Sequence, residues 1–285
     1  MRETLSVGAA IGAFALLLFL LERLFPLRRA KRPLAGRLLV NLSYAVLAFA
    51  TVALTVRPAA EAMLGWTGRQ SFGLLQMSWV PGAVRPLLAF LLLDLTFYWW
   101  HRANHRISLL WRFHNVHHID PDLDVSTAFR FHFGELAFSS AFRVAQIGLI
   151  APSPWAYGIY ELVFQAGTLF HHSNVRLPVR AERLLNRLLV TPRMHGIHHS
   201  QVREETNSNY GTVFPWWDRL HRTLGLNIPQ GAIEIGIPAY ADAGDNRLGN
   251  TLATPFRRQR RYWRRDDGTM PQRESADGDC EILAA

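Results

Sequence analysis

The chain has 285 residues, of which 49% are hydrophobic and only 19% are charged, and its formal net charge at pH 7 is +9. The basic residues flank long apolar runs, a pattern typical of membrane proteins with basic cytoplasmic loops, so nucleic acid is not the expected partner. Cys280 is the single cysteine, which excludes an intrachain disulfide and a thiolate metal site.

Two apolar stretches near the N-terminus predict membrane-spanning helices, at residues 5–25 and 38–56. The first is too long and uninterrupted for a signal-peptide core, and no small-residue cleavage site closes it. The loop between the two spans is rich in basic residues, namely Arg23, Arg28, Arg29, Lys31, Arg32 and Arg37. The positive-inside rule places this loop in the cytoplasm and the N-terminus outside.

The next segments predict further helices at the same membrane. Residues 57–85 are mixed in composition, and residues 86–100 are a third apolar run that continues into a histidine-rich segment. Residues 135–170 are apolar again and are broken by Ala-Pro-Ser-Pro at 151–154, which predicts a helical hairpin. The charged tail from residue 256 is predicted to be disordered or loosely attached. The expected fold is all-α, a membrane helical bundle of four to five spans with a cytoplasmic helical cap.

Four histidine clusters fall on the predicted cytoplasmic side of this bundle. They are HRANH (His101, His105), HNVHH (His114, His117, His118), FHH (His171, His172) and HGIHH (His195, His198, His199). On a helix, imidazoles at i, i+3 and i+4 project from one stripe. A catalytic zinc takes three protein ligands, so this many histidines predicts two metals with four or five imidazoles each. Nitrogen ligation suits Zn, Cu, Fe or Ni and disfavours Mg or Ca.

The order of these motifs in residues 86–225 resembles the membrane fatty-acid hydroxylase / sterol desaturase superfamily. The stretches that carry the resemblance are LLDLTFYWWHRANHRISLLWRFHNVHH, FHHSNVRLP and TPRMHGIHHSQVREETNSNYGTVFPWWDRLHRT. The resemblance implies a non-haem di-iron oxygenase that hydroxylates or desaturates a membrane lipid with O₂ and electrons from a separate donor protein. It implies two iron ions, which zinc can replace in purified protein. The implied ligands are His101, His105, His114, His117, His118, His172, His195, His198 and His199.

The chain departs from the pattern of these relatives at three positions. His171 fills a place where most relatives have another residue, so it is either an extra ligand or a bystander. Thr168 stands where the ceramide-type branch has a further histidine. His221 replaces an aromatic residue.

Other polar residues near the clusters are candidates for supporting roles. His132 is interpreted as a supporting residue rather than a ligand. Metal-bound histidines usually donate their far N–H to an acceptor, and the nearby carboxylates that could serve are Asp120, Asp122, Asp124 and Glu135. Asp94 lies inside an apolar run, seven residues before His101, where a carboxylate is costly. It is expected either to line a substrate channel or to pair with Arg143.

The predicted organisation has three parts: membrane spans and loops in residues 1–85, a catalytic region in residues 86–225, and a partly disordered extension in residues 226–285. Three alternatives remain open on the same histidines. A zinc-dependent membrane hydrolase would need neither O₂ nor a reductant. A metal transporter or sensor usually places its ligands at the membrane midplane or in loose loops. A bis-histidine haem protein needs isolated histidines that face each other across two spans.

Overall fold

The computed structural model describes residues 2–273, with side chains from residue 7, and confirms the all-α prediction for this range apart from two isolated β-bridges. The first seven helices are α1 (Arg2–Leu24), α2 (Leu34–Thr51), α3 (Arg57–Gln70), α4 (Arg85–Arg106), α5 (Ser108–His118), α6 (Phe133–Ile150) and α7 (Pro154–His172). The last five are α8 (Val179–Leu185), α9 (Pro192–His198), α10 (Arg203–Thr206), α11 (Trp216–Leu220) and α12 (Leu248–Ala253).

Three helical stretches of the described residues are long and apolar enough to cross a membrane, namely Val7–Leu24, Leu34–Gln76 and Gly82–Arg106. Large apolar side chains on their outer surfaces are exposed, among them Leu16, Leu42 and Leu54. Such surfaces favour lipid over water, which indicates an integral membrane protein. The predicted hairpin is present as α6 and α7, but neither helix is among the three stretches, so four to five spans stays a prediction.

The second apolar helix is longer than the sequence predicts. The predicted span ends at Val56, whereas in the structure α2 passes through a π-helical turn at Val52–Val56 and continues as α3 to Gln70. Pro58 explains the wide turn, because proline lacks an N–H and its ring clashes with the carbonyl four residues earlier. The extension is stabilised by packing against α6, where Leu64 contacts the cluster around Ile147.

The bundle has two distinct ends. At one end, the end of α1 and the start of α2 meet the segment that follows His118, since Arg23 and Arg37 donate to Asp124 at 3.0 and 2.7 Å. At the other end, the loops after α3 and α6 meet so closely that a Cβ on Gly73 would lie 2.5 Å from that of Ala151. The basic loop and the histidine clusters therefore share one end of the bundle.

A buried ionic cluster holds that end together. Arg37 donates from Nε to Asp120 Oδ1 at 2.8 Å, and Asp122 accepts the backbone N–H groups of Lys31 and Arg32 at 2.7 and 2.9 Å. Burial opposes ionisation of Asp120, but the neighbouring Arg37 and Arg130 hold the pKa of that carboxyl well below its usual range.

The carboxylates of this cluster therefore do not take the role predicted for them. In the described part of the chain, the hydrogen bonds of Asp120, Asp122 and Asp124 come from α1, α2, the loop between these helices and the turn that carries the three carboxylates, rather than from imidazoles.

The segment 256–273 is not loosely attached, in contrast to the prediction. Trp263 stacks on Trp111 of α5, with ring centroids 6.0 Å apart and an interplanar angle of 25°. Arg112 donates to the Arg257 carbonyl at 3.1 Å, and Arg260 pairs with Asp245 at 2.8 Å. A few aromatic anchors and ion pairs fix this aliphatic-poor stretch. The predicted disorder beyond residue 273 lies outside the described residues.

Candidate metal centre

Nine histidines form two groups at the end of the bundle that carries the basic loop, here called the polar end. Within each group, the ligand atoms lie within 4.8 Å of one another. The five-histidine group consists of His101, His105, His114, His118 and His198. The four-histidine group consists of His117, His172, His195 and His199. These are the nine histidines that the resemblance implied as ligands, and the helices α4, α5, α7 and α9 with the residue after α9 supply them.

Each H-x-x-H-H motif contributes to both groups. In α5, His114 and His118 join the five-histidine group, whereas His117 joins the other. The motif at α9 is divided the other way: His195 and His199 join the four-histidine group, and only His198 joins the five-histidine group. Residues four apart lie nearly one above the other on a helix, while the residue at i+3 is rotated to one side. This rotation lets one helix turn serve two neighbouring sites.

The four-histidine group has the spacing of a nitrogen ligand set. Nε2 of His172 lies 3.0 Å from Nε2 of both His117 and His195, and Nε2 of His195 lies 3.1 Å from that of His199. Nitrogen ligands at the usual 2.0–2.1 Å from a tetrahedral metal are about 3.3 Å apart. Nδ1 of His172 donates to the Thr168 carbonyl at 2.8 Å, so its Nε2 carries a lone pair that faces the group.

Outer hydrogen bonds orient three imidazoles of the five-histidine group. Nδ1 of His101, His114 and His198 donates to the Tyr210 carbonyl, the Glu135 carboxylate and the Ser208 carbonyl, at 2.8, 2.8 and 2.7 Å. These acceptors fix the tautomer and turn each Nε2 lone pair inward. Nε2 of His114 and of His198 is buried without a hydrogen-bond partner among the described residues, as expected of a metal ligand. The residues therefore fit two nitrogen-bound metal ions.

The histidines are held in the form that binds metals. Burial above all, together with neighbouring imidazoles, holds the pKa of His117, His118, His195, His198 and His199 well below the usual histidine value. They are thus neutral at pH 7, and a neutral imidazole offers a lone pair to a metal.

The turn after α10 is clamped by a carboxylate that the sequence analysis missed. Asp218 accepts the backbone N–H groups of Tyr210 and Gly211 at 2.9 and 2.7 Å, which positions the Tyr210 carbonyl for His101. A Cβ at Gly211 would lie 2.8 Å from the Asp218 carboxylate, so glycine is required there. No sequence signal links Asp218 to His101, because the link passes through backbone atoms.

His171 and His132 lie beside the groups rather than in them. The His171 ring lies 4.1 Å from the His195 ring, and its Nδ1 donates to the Thr212 carbonyl at 3.2 Å. His132 accepts the Gly134 N–H at 3.0 Å and so caps the start of α6, the helix that carries Glu135. Its influence on the site therefore passes through the position of that helix.

Asp94 has partners that neither sequence alternative foresaw. Its carboxylate accepts the N–H groups of Val213 and Phe214 at 3.3 and 3.1 Å and the Trp217 indole N–H at 2.8 Å. The predicted pairing with Arg143 is wrong, since Arg143 pairs with Glu161 at 2.9 Å.

His221, which replaces an aromatic residue of the relatives, makes an aromatic contact. Its ring stacks on Tyr98, with centroids 4.8 Å apart and an interplanar angle of 17°.

A cleft of about 570 Å³ opens beside the five-histidine group. Its walls include His105, Trp111, Trp263 and the exposed side chains of Arg106 and Arg203. His105 is thus the member of the group that faces this opening, and the cleft gives small molecules a route to the site.

Comparison with known proteins agrees with this geometry. Residues 86–223 match the fatty acid hydroxylase family. The chain is 33% identical to the ornithine lipid hydroxylase of Rhizobium tropici over 64% of its own length and 53% of that protein. It is 31% identical to the alkylglycerol monooxygenase of Danio rerio, over 58% of the chain and 38% of that protein. It is 28% identical to a cholesterol 25-hydroxylase-like protein of Caenorhabditis briggsae, over 54% of each.

The chain thus spans about half the length, or less, of these curated relatives. No solved structure matches it.

Proposed function

We propose that the chain, of which residues 86–223 match the fatty acid hydroxylase family, binds one iron ion in each histidine group and hydroxylates or desaturates a membrane lipid with O₂. The electrons come from a separate donor protein. The observation that carries the proposal is the convergence of nine histidines into two adjacent ligand sets at one end of an apolar bundle.

A bound pair of irons would supply the activation of O₂ that attack on an unactivated C–H bond requires. The chain supplies position and exclusion of water. The acceptors of His101, His114 and His198 hold the rings in one orientation, and the burial of these three imidazoles keeps solvent away from the reacting atoms. Because all nine ligands are neutral imidazoles, they would leave most of the positive charge on metal ions held there.

The surroundings of the site support a lipid as the substrate. His101, His105 and His172 lie at the ends of α4 and α7, whose bodies are apolar, so a lipid tail could lie along the bundle with its target carbon at the metal site. The names of the relatives concern an ornithine lipid, alkylglycerols and cholesterol, which supports a lipid but favours no single one. The basic loop at the same end supports a cytoplasmic location for the site.

The test is metal content and chemistry measured on one preparation. Protein from cells fed with iron-57 should contain two irons per chain and give the Mössbauer spectrum of a coupled pair. Incubation with membrane lipids, a reductant and ¹⁸O₂ should give an ¹⁸O-labelled alcohol or a product that has lost two hydrogens. His118→Ala and His198→Ala should insert into the membrane but lack activity, whereas His221→Phe should keep it. Persistent zinc with turnover that needs no O₂ would contradict the proposal and support a hydrolase.

A further inference from the structure

An apolar patch on α8 and α11 is left uncovered by the rest of the described chain. Its side chains are Leu184, Leu185, Leu188, Leu189, Trp216 and Leu220, and Leu184, Leu188 and Leu220 are 64%, 57% and 68% exposed. The turn that follows α8 is joined to α11, because the Trp216 indole donates to the Arg187 carbonyl at 2.7 Å and Arg219 donates to the Asn186 carbonyl at 2.9 Å. A patch of this kind marks a contact with a partner or with lipid.

The chain that leads to this patch lies alongside the apolar middle of α4. Val213 packs in one core cluster with Leu93, and the Phe214 ring lies 5.6 Å from that of Phe90. Phe90 and Leu93 come eleven and eight residues before His101. At 1.5 Å per helical residue, they lie about 16 and 12 Å further along the apolar run than the metal-site end. Residues 213 and 214 therefore reach the depth of the hydrocarbon region.

Asp94 explains how a non-helical segment is tolerated at that depth. Backbone N–H groups in the hydrocarbon region have no water to bind and must find an acceptor within the protein. Asp94 accepts two of them, from Val213 and Phe214, and also the indole N–H of Trp217. A carboxylate in the middle of an apolar helix is costly on its own, and here it satisfies three donors of a segment that enters from the polar end.

We propose that residues 179–189 and 213–220 form an element embedded in the membrane leaflet on the metal-site side, with the apolar patch in contact with lipid. The patch is connected to α4 through Phe214, whose ring stacks on Trp216 with centroids 4.2 Å apart and lies 5.6 Å from Phe90, and Leu87 on the same helix is also exposed. Trp216 is of the residue type enriched at membrane interfaces, and the exposed Arg180 and Arg187 suit lipid headgroups. The proposal concerns membrane placement, and so it does not depend on the proposed chemistry.

The test uses spin labels on single cysteines. In a Cys280→Ser background, Leu188→Cys and Leu220→Cys each receive a nitroxide, and the full chain is reconstituted in vesicles of phosphatidylcholine and phosphatidylglycerol. Leu42→Cys, on the outer surface of α2, is the lipid-exposed control, and Asp267→Cys, exposed near the C-terminal end of the described chain, is the water-exposed control. Both native leucines are exposed, so the substitutions do not disturb a packed core.

The two labels should relax several-fold more with O₂, which partitions into lipid, than with a water-soluble nickel chelate, as the label at position 42 does. Labels that behave like the one at position 267 would overturn the proposal. Labels shielded from both reagents would also overturn it, since they would show that protein covers the patch. All readings are made without metal loading or turnover, so they stand whether or not the proposed activity is found.

Discussion

His117 and His118 are neighbours in the chain, but their imidazoles belong to different histidine groups. Their ring centroids lie 5.3 Å apart with an interplanar angle of 88°. His117 reaches His172 of α7, whereas the His118 ring lies 4.8 Å from that of His105. One turn of α5 therefore joins the two proposed metal sites, and a single substitution in this turn can weaken either site by itself.

The first prediction is that His117→Ala and His118→Ala each lower the metal content from two ions to about one per chain, because each removes a ligand from a different group. The double variant should hold almost none. Metal-to-protein ratios after gel filtration measure the outcome, and His221→Phe, outside both groups, serves as the control. Two tightly bound ions in either single variant would contradict the assignment of ligands.

Glu135 is predicted to increase the metal affinity of the five-histidine group without binding the metal itself. Its carboxylate accepts the His114 Nδ1–H at 2.8 Å, and losing the charge of such an acceptor typically lowers metal affinity about 10–100-fold. Glu135→Gln should therefore bind one of its two metals more weakly in a competition titration with a chelator. Glu204→Gln, an exposed glutamate on α10, should bind both metals as the unmodified chain does.

His171 and His172 are predicted to differ despite their adjacency. Only His172 belongs to a histidine group, and its Nε2 contacts two other ring nitrogens at 3.0 Å. His172→Gln should lose the metal of the four-histidine group, whereas His171→Gln should retain both metals. Iron quantification on the two purified variants distinguishes the cases. Loss of a metal from His171→Gln as well would make His171 an additional ligand.

Spacing at i, i+3 and i+4 has a direct geometric meaning on a helix, so the pattern itself indicates the histidines of HRANH, HNVHH and HGIHH, whereas the choice of His172 over His171 rests on the family resemblance. The pattern does not indicate which metal each imidazole faces, since that depends on how α5 and α9 pack. The acceptors of His198 and His101 are the backbone carbonyls of Ser208 and Tyr210, and no residue type in the sequence points to a backbone carbonyl. The order of residues 256–273 also escaped prediction, because it rests on a few aromatic contacts and ion pairs, such as the stack of Trp263 on Trp111, rather than on an apolar pattern.

Arg37 is predicted to be essential for stability. It is buried and binds Asp120 and Asp124, so Arg37→Leu would leave two buried carboxylates without their main partner. Breaking a buried pair in this way costs about 3–5 kcal/mol, which should appear as a large drop in the thermal midpoint in detergent. Arg57→Leu is the matched control on the continuation of the same helix. Its ion pair with Glu61 is exposed, and such pairs contribute only about 0–1 kcal/mol.

Asp94 is predicted to act through structure rather than through contact with substrate. Asp94→Asn keeps one oxygen acceptor but turns an amide N–H₂ toward a donor, and a hydrogen bond to a charged group contributes about 1.5–3 kcal/mol. Asp94→Leu leaves all three donors unmet and should destabilise the protein more. Trp217→Phe removes only the indole donor, so it should destabilise less than Asp94→Leu. Of the three variants, Asp94→Leu should therefore have the lowest thermal midpoint. Unchanged midpoints with lost turnover would instead place Asp94 in the substrate channel.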